Sequence, residues 1–271
     1  MKILSKIYNF LIFAFLYAPI LVLIVFSFNS DNKNRTTFES FTLKWYGELF
    51  QDEAILNALA LSLTIAVLAA LISTVIGTLA AIGLRYVNKK IRSVMLSLNN
   101  IPMMCPEIVT GVSFMLLFVA IGKFTGGYVT FGFTSLLIAH ISFCVPYVVL
   151  SVLPKLRQMN PYIYEAAQDL GCPPAKAFFK VVLPEIMPGV ITGMMMAFTL
   201  SLDDFVISYF LSGSGSETLP VYIYSQVKKG VSNKIYALTA LLFVVVMALL
   251  IVVNYMQISQ DAKAKKKAGR A

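Results

Sequence analysis

The sequence predicts an all-α integral membrane protein with six transmembrane helices, on three observations. Its mean hydropathy is +0.80, its residues are 58% apolar and only 13% charged, and its apolar residues gather into runs long enough to cross a bilayer. At 1.5 Å per helical residue, about 20 residues cover roughly 30 Å of hydrocarbon.

The runs near 7–28, 55–84, 94–121, 131–153, 186–211 and 236–256 meet that length. The first is as long as a full crossing and has no small-residue cleavage site after it, so it is predicted to be a retained span and not a signal peptide. His140 and Trp45 are single, and Cys105, Cys144 and Cys172 are widely spaced, a pattern that predicts neither a metal centre nor a disulfide framework.

A net charge of +9 raises the question of a nucleic-acid partner. The basic residues flank apolar runs instead of forming a stripe interleaved with aromatics, so no nucleic-acid partner is expected and the charge is read as topology. Lys2 and Lys6, the Arg85–Arg92 cluster, Lys155, Arg157, Lys176, Lys180 and the terminal lysines all fall on one side when both termini are cytoplasmic. Lys33, Arg35, Lys44, Lys123, Lys228, Lys229 and Lys234 are the exceptions. The expected organisation is one transmembrane domain over 1–256 and a basic cytoplasmic tail, 257–271, suited to contact with anionic lipid in the bilayer.

Between the fourth and fifth runs lies a polar segment, 154–185. Asn160 and Pro161 are helix-start signals, Glu165, Ala166 and Ala167 favour helix, and Gly171 stops it. Pro173 and Pro174 can begin a second helix that carries Phe178 and Phe179. A connector with its own helices and exposed apolar side chains is expected to dock another protein.

The string EAAQDLG, followed nine residues later by VVLP, resembles the EAA motif of ABC-importer permease subunits: EAA, three residues, Gly, nine residues, Ile, one residue, Leu-Pro. Val181 stands where Ile is usual. The runs FTLKWYGELF and LSLTIAVLAALISTVIGTLAAIGLRY and the segment PEIVTG are similar to the same type I (MetI-like) permease fold. The resemblance implies that the loop forms a coupling helix inserted into a cleft on a separate ATPase subunit. Glu165, Ala166, Ala167, Asp169, Gly171, Leu183 and Pro184 would be its coupling residues.

Ionisable side chains within spans are costly and mark a pathway or a buried pair. Glu107 follows Pro106 in the third run, where proline favours a kink, and Asp203 and Asp204 stand in the fifth. On one continuous helix Asp203 and Asp204 diverge by about 100°. Asp204 shares a face with Ser201 and Ser208, so Asp204 is expected to face the path and Asp203 to contact a neighbouring helix. Phe205 and Tyr209, one turn apart, are expected to form an aromatic wall. Three buried acids with aromatic faces and no basic residue well inside a span suit an organic cation. His140 is read as a hydrogen-bonded interior residue, and Gly189 and Gly193 as a close helix contact.

The segments LSLDDFVISYFLSG and ETLPVYIYSQVKKGVSNKIYALTALL resemble the spermidine/putrescine permease subunits of such importers. That resemblance implies a homologous second permease subunit, two ATPase subunits holding ATP and Mg, an extracytoplasmic polyamine-binding protein, and a place in the bacterial cytoplasmic membrane. This chain has no G-x-x-x-x-G-K-[ST] string, so it is expected to be no enzyme and to hold no cofactor itself. Permeases for ferric iron, thiamine or phosphonates share the implied fold and stay open as alternatives. A gradient-driven secondary transporter is a further alternative, one that leaves the EAA loop unexplained.

Overall fold

The computed structural model describes residues 2–30, 38–126, 130–213, 215–230, 232–248 and 251. Among these the chain is almost wholly helical, with one antiparallel bridge between Asn29 and Phe41. The helices are α1 (Lys2–Phe26), α2 (Lys44–Leu49), α3 (Glu53–Tyr86), α4 (Lys89–Met104), α5 (Glu107–Phe124) and α6 (Phe133–Gln158). They continue with α7 (Ile163–Asp169), α8 (Pro174–Ala177), α9 (Leu183–Asp203), α10 (Val206–Leu211), α11 (Leu219–Lys229) and α12 (Asn233–Ala248).

Five helical stretches are long and apolar enough to cross a membrane: Lys6–Phe26, Glu53–Tyr86, Glu107–Phe124, Phe133–Gln158 and Pro174–Asp203. α12 is apolar and shorter among the described residues. The remainder of the predicted sixth span and the tail 257–271 lie outside the described residues, apart from residue 251.

Two predicted spans are interrupted. The run 94–121 is not one helix, because α4 ends at Met104 and α5 begins at Glu107. Cys105 (ψ 139°) and Pro106 (ψ 136°) are extended between them. Proline has no N–H to give to a continuing helix, and its ring drives the preceding residue out of the helical region. The run 186–211 is broken too, at Asp204, where ψ is 119° and α9 gives way to α10.

The described residues group by their contacts into two compact units. One comprises the described residues of 1–57 and 222–251, the other those of 58–221. In the first unit, α1 leaves its apolar side chains outward along Lys6–Phe26. Asn29 ties the segments that follow. Its carbonyl accepts from Trp45 Nε1 at 2.7 Å and from Asn233 Nδ2 at 2.9 Å, and its Oδ1 accepts from Glu39 N at 3.1 Å. Lys234 lies 3.6 Å from Glu48 and 3.5 Å from Asp52. The carboxylate of Asp52 also caps α3, accepting from Ala54 N at 3.2 Å.

The second unit is built on α6 and α9. A Cβ on Gly189 would stand 2.8 Å from the carbonyl oxygen of Ser151, and one on Gly193 3.1 Å from Val148 Cα, so glycine is what lets these two backbones approach. Val148, Val152, Ile186 and Ala197 fill the seam. A second cluster, Ile65, Phe118, Leu136, Ile207 and Leu211, joins α3, α5, α6 and α10. Arg92, at the start of α4, folds back to donate to the carbonyls of Leu84 at 2.8 Å and Arg85 at 2.9 Å. A cation at these free carbonyls complements the negative end of the α3 dipole.

Candidate functional site

Two regions of the 58–221 unit gather the residues singled out by the sequence. The first is the loop after α6. α7 ends in a paired turn in which Gly171 N donates to Gln168 O at 2.8 Å and Cys172 N donates to Ala167 O at 3.1 Å. This closes the helix end with Gly171 at φ +82°, a left-handed conformation that a Cβ disfavours. No atom lies within 4 Å of a Cβ built there, so the glycine is required by its backbone and not by crowding.

α7 is seated by Ile163 and Tyr164, which pack with Leu183 against Leu156, Met159, Val182 and Ile186. Arg85 Nη2 adds a hydrogen bond to Pro161 O at 3.1 Å. Glu165, Ala166, Asp169, Gly171 and Pro184 are exposed, and Ala167 is half-buried. Of the phenylalanine pair expected to be exposed, only Phe179 is, because Phe178 packs against the core. Leu170 at 89% and Tyr162 at 69% exposure complete an apolar surface that the sequence pattern did not single out. A five-residue π-helical turn, Phe178–Val182, leads from α8 into α9.

The second region is a cavity of about 630 Å³ beside the two helix breaks. Glu107, in the first turn of α5, lines it with Asp203 and Asp204 at the end of α9. Phe143, Tyr147 and Phe205 supply rings, and no Lys, Arg or His is among the described lining residues. Among the described residues no three His, Cys, Asp or Glu side chains converge in a way that could hold a metal ion.

The three acids are not equally buried, as the sequence reading had them. Glu107 and Asp203 are exposed, whereas the Asp204 side chain is 6% exposed. Asp204 is engaged by its own chain: Oδ2 accepts from Ser208 N at 2.8 Å and Oδ1 from Ile207 N at 3.3 Å, which caps α10. The face shared by Ser201, Asp204 and Ser208 turns toward α6. His140, 1% exposed, lies there with Nδ1 2.7 Å from Ser201 Oγ and Nε2 3.2 Å from Ser208 Oγ. Asp204 Oδ2 is 3.5 Å from His140 Nε2.

The geometry places both aspartates at the cavity, with Asp203 the more exposed and Asp204 turned onto the start of α10. Asp203 offers its carboxylate to the cavity, and Asp204 holds the break. The expected 100° offset between neighbours assumed one continuous helix, and the helix stops between them. Ser201 is 4% exposed and absent from the cavity lining, and Tyr209 lies outside that lining although its ring centroid is 5.5 Å from that of Phe205. The cavity's other rings, Phe143 and Tyr147, were missed. They share a helix face with His140 at i, i+3 and i+7, a periodicity that could have found them.

Paired broken helices around an acidic cavity, with a knob of exposed helix on the connector between α6 and α9, fit a membrane permease. The chain belongs to the family described as binding-protein-dependent transport system inner membrane component, which matches residues 73–266. It is 43% identical over 231 residues to the putrescine transport system permease protein PotI of Escherichia coli K12, covering 85% of this chain and 82% of that one. It is 41% identical over 261 residues to the spermidine/putrescine transport system permease protein PotC of the same strain, covering 95% and 94%. Its fold is similar to that of a chain in the crystal structure of a bacterial ABC transporter involved in the import of the acidic polysaccharide alginate. That match has a TM-score of 0.70 at 14% identity and covers 94% of this chain and 95% of that one.

Proposed function

We propose that the chain is a membrane permease subunit of an ABC importer that carries polyamines such as spermidine or putrescine into the cytoplasm. The observation that carries this reading is the sign of the cavity: three carboxylates, aromatic faces, and no basic residue among the described lining. The same fold occurs in a transporter involved in importing an acidic polysaccharide, so the fold does not choose the cargo and the lining must. Carboxylates offset the hydration that a polyamine loses on entering, and each ring face attracts an ammonium group by about 0.5–2 kcal/mol. Two relatives at 41–43% identity with polyamine permease names support the same choice.

Glu107 and Asp203 receive the ammonium groups, with Phe205, Phe143 and Tyr147 along the methylene chain. Asp204 lines the cavity while capping α10, and Ser201 and Tyr209 act behind this lining. Glu165, Ala166, Ala167, Asp169 and Gly171, with Leu183 and Pro184 at the base, form the contact with an ATPase subunit. Leu170, Tyr162 and Phe179 supply its apolar area. Two such ATPase subunits bind ATP and Mg, a homologous permease completes the pathway, and an extracytoplasmic polyamine-binding protein delivers cargo. Both termini are cytoplasmic on this reading, on the same side as the Glu165 loop.

Uptake of labelled spermidine and putrescine by cells lacking this chain tests the reading, with wild type or Gly171→Asp supplied in trans. Wild type restores uptake and Gly171→Asp does not. Failure of wild type to restore either substrate would remove the polyamine assignment, and full activity in Gly171→Asp would remove the coupling assignment.

A further inference from the structure

We propose that His140 is a positioning residue for transport, a staple across the break in the fifth span that holds the Asp203 carboxylate in the cavity. This inference rests on the cargo reading above. The helix interruption at Asp204 contains no proline or glycine to force it. What spans it is one imidazole from another helix. His140 Nδ1 meets Ser201, in the last turn of α9, at 2.7 Å, and Nε2 meets Ser208, in α10, at 3.2 Å. The ring thus contacts the chain on both sides of the interruption, and the Asp204 carboxylate lies 3.5 Å from the same Nε2.

The staple is rigid from behind as well. α6 and α9 are locked by the close approach at Gly189 and Gly193, and Cys144, one turn on from His140, donates its Sγ hydrogen to Ala197 O at 3.4 Å. The ring packs edge-on against Phe143, at 6.2 Å between centroids, and Phe143 lines the cavity. A side chain with two polar atoms about a ring's width apart is needed to reach both serines. Histidine has them. Asn can reproduce only the Nδ1 contact, and Gln only the Nε2 contact.

With the staple intact, α9 ends at Asp203 and its carboxylate faces the cavity. Without it, the end of α9 and the start of α10 lose their shared anchor, and Asp203 loses its fixed place. His140 touches no cargo on this account, so its effect must pass through Asp203. That makes the two side chains energetically dependent on one another.

The test is a double-mutant cycle on the assembled transporter in proteoliposomes, with uptake of labelled spermidine normalised to the amount of complex. Asp203→Asn and His140→Asn are each expected to lower uptake about tenfold, and the double variant to be no worse than Asp203→Asn alone. His140→Gln, which keeps the other contact, is expected to be as impaired as His140→Asn. Losses that multiply to about a hundredfold in the double variant would overturn the proposal, as would wild-type uptake in either His140 variant. If the His140 variants do not assemble, Ser201→Ala removes one arm while keeping the ring, and the same absence of further loss on adding Asp203→Asn is required. Wild-type complex that moves no spermidine would sink the cargo reading instead. The cycle is then run on stimulation of ATP hydrolysis by the loaded binding protein, where the same non-additivity is required.

Discussion

The interruptions at Pro106 and Asp204 border one cavity, yet they are held in different ways. At Pro106 the local sequence favours a stop through the missing N–H and the ring's restriction on Cys105, although Pro102, Pro146, Pro154 and Pro188 are accommodated inside α4, α6 and α9. At Asp204 no proline or glycine demands a stop. That break is made by the Asp204 carboxylate turning onto Ser208 N and Ile207 N, and by His140 reaching across from α6. One interruption has a proline at its centre, and the other a capping carboxylate together with a side chain from a neighbouring helix. The more exposed of the two aspartates, Asp203, depends on the second kind.

Substitution separates the two. Asp204→Ala removes the cap of α10 and strips His140 of its acidic neighbour, and it is expected to cost about 2–3 kcal/mol, read as a lowered midpoint of heat-induced aggregation of the purified complex. Asp204→Asn retains an acceptor oxygen and should lose less. A loss below that of Pro106→Ala would mean that the break at Asp204 is also local.

Gly171 offers an intermediate case, a stop that is local but needs the left-handed region. Gly171→Ala is expected to cost about 1–2 kcal/mol, since no neighbour crowds the new Cβ and only the backbone is strained. Gly171→Asn should cost less, because Asn tolerates that conformation. Limited proteolysis within α7 would report the difference, and equal sensitivity of the two variants would contradict the backbone explanation.

The smallest effect belongs to Pro106→Ala. Loss of proline acts mainly by loosening the unfolded chain, at about 0.4–1 kcal/mol, provided that α5 still starts at Glu107. Cross-linking or cysteine accessibility at Cys105 would show whether α4 and α5 merge.

What was legible in the sequence follows the same division. The apolar runs, the loop helices and the Gly171 stop could be read because length, periodicity and Gly or Pro encode them locally. The kink at Pro106 was visible, though not that it divides the run 94–121 into two helices. The break at Asp204 was not read, because an unbroken apolar run implies one helix, although Asp204 is itself a capping type of residue. That one omission set the divergence by which the two aspartates were divided and hid the contact of Ser201 with His140. Leu170 and Tyr162 escaped notice because a single exposed apolar residue in a loop carries no periodic signal.

The most direct test of the account is uptake of labelled spermidine and putrescine with Glu107→Gln, Asp203→Asn and the double variant, at matched amounts of assembled transporter. The account predicts a loss of about tenfold for Asp203→Asn and a deeper loss for the double variant, since two uncompensated ammonium groups must then enter the cavity. Wild-type uptake by the double variant would contradict it, because the cavity's acids would then have no part in carrying the cation.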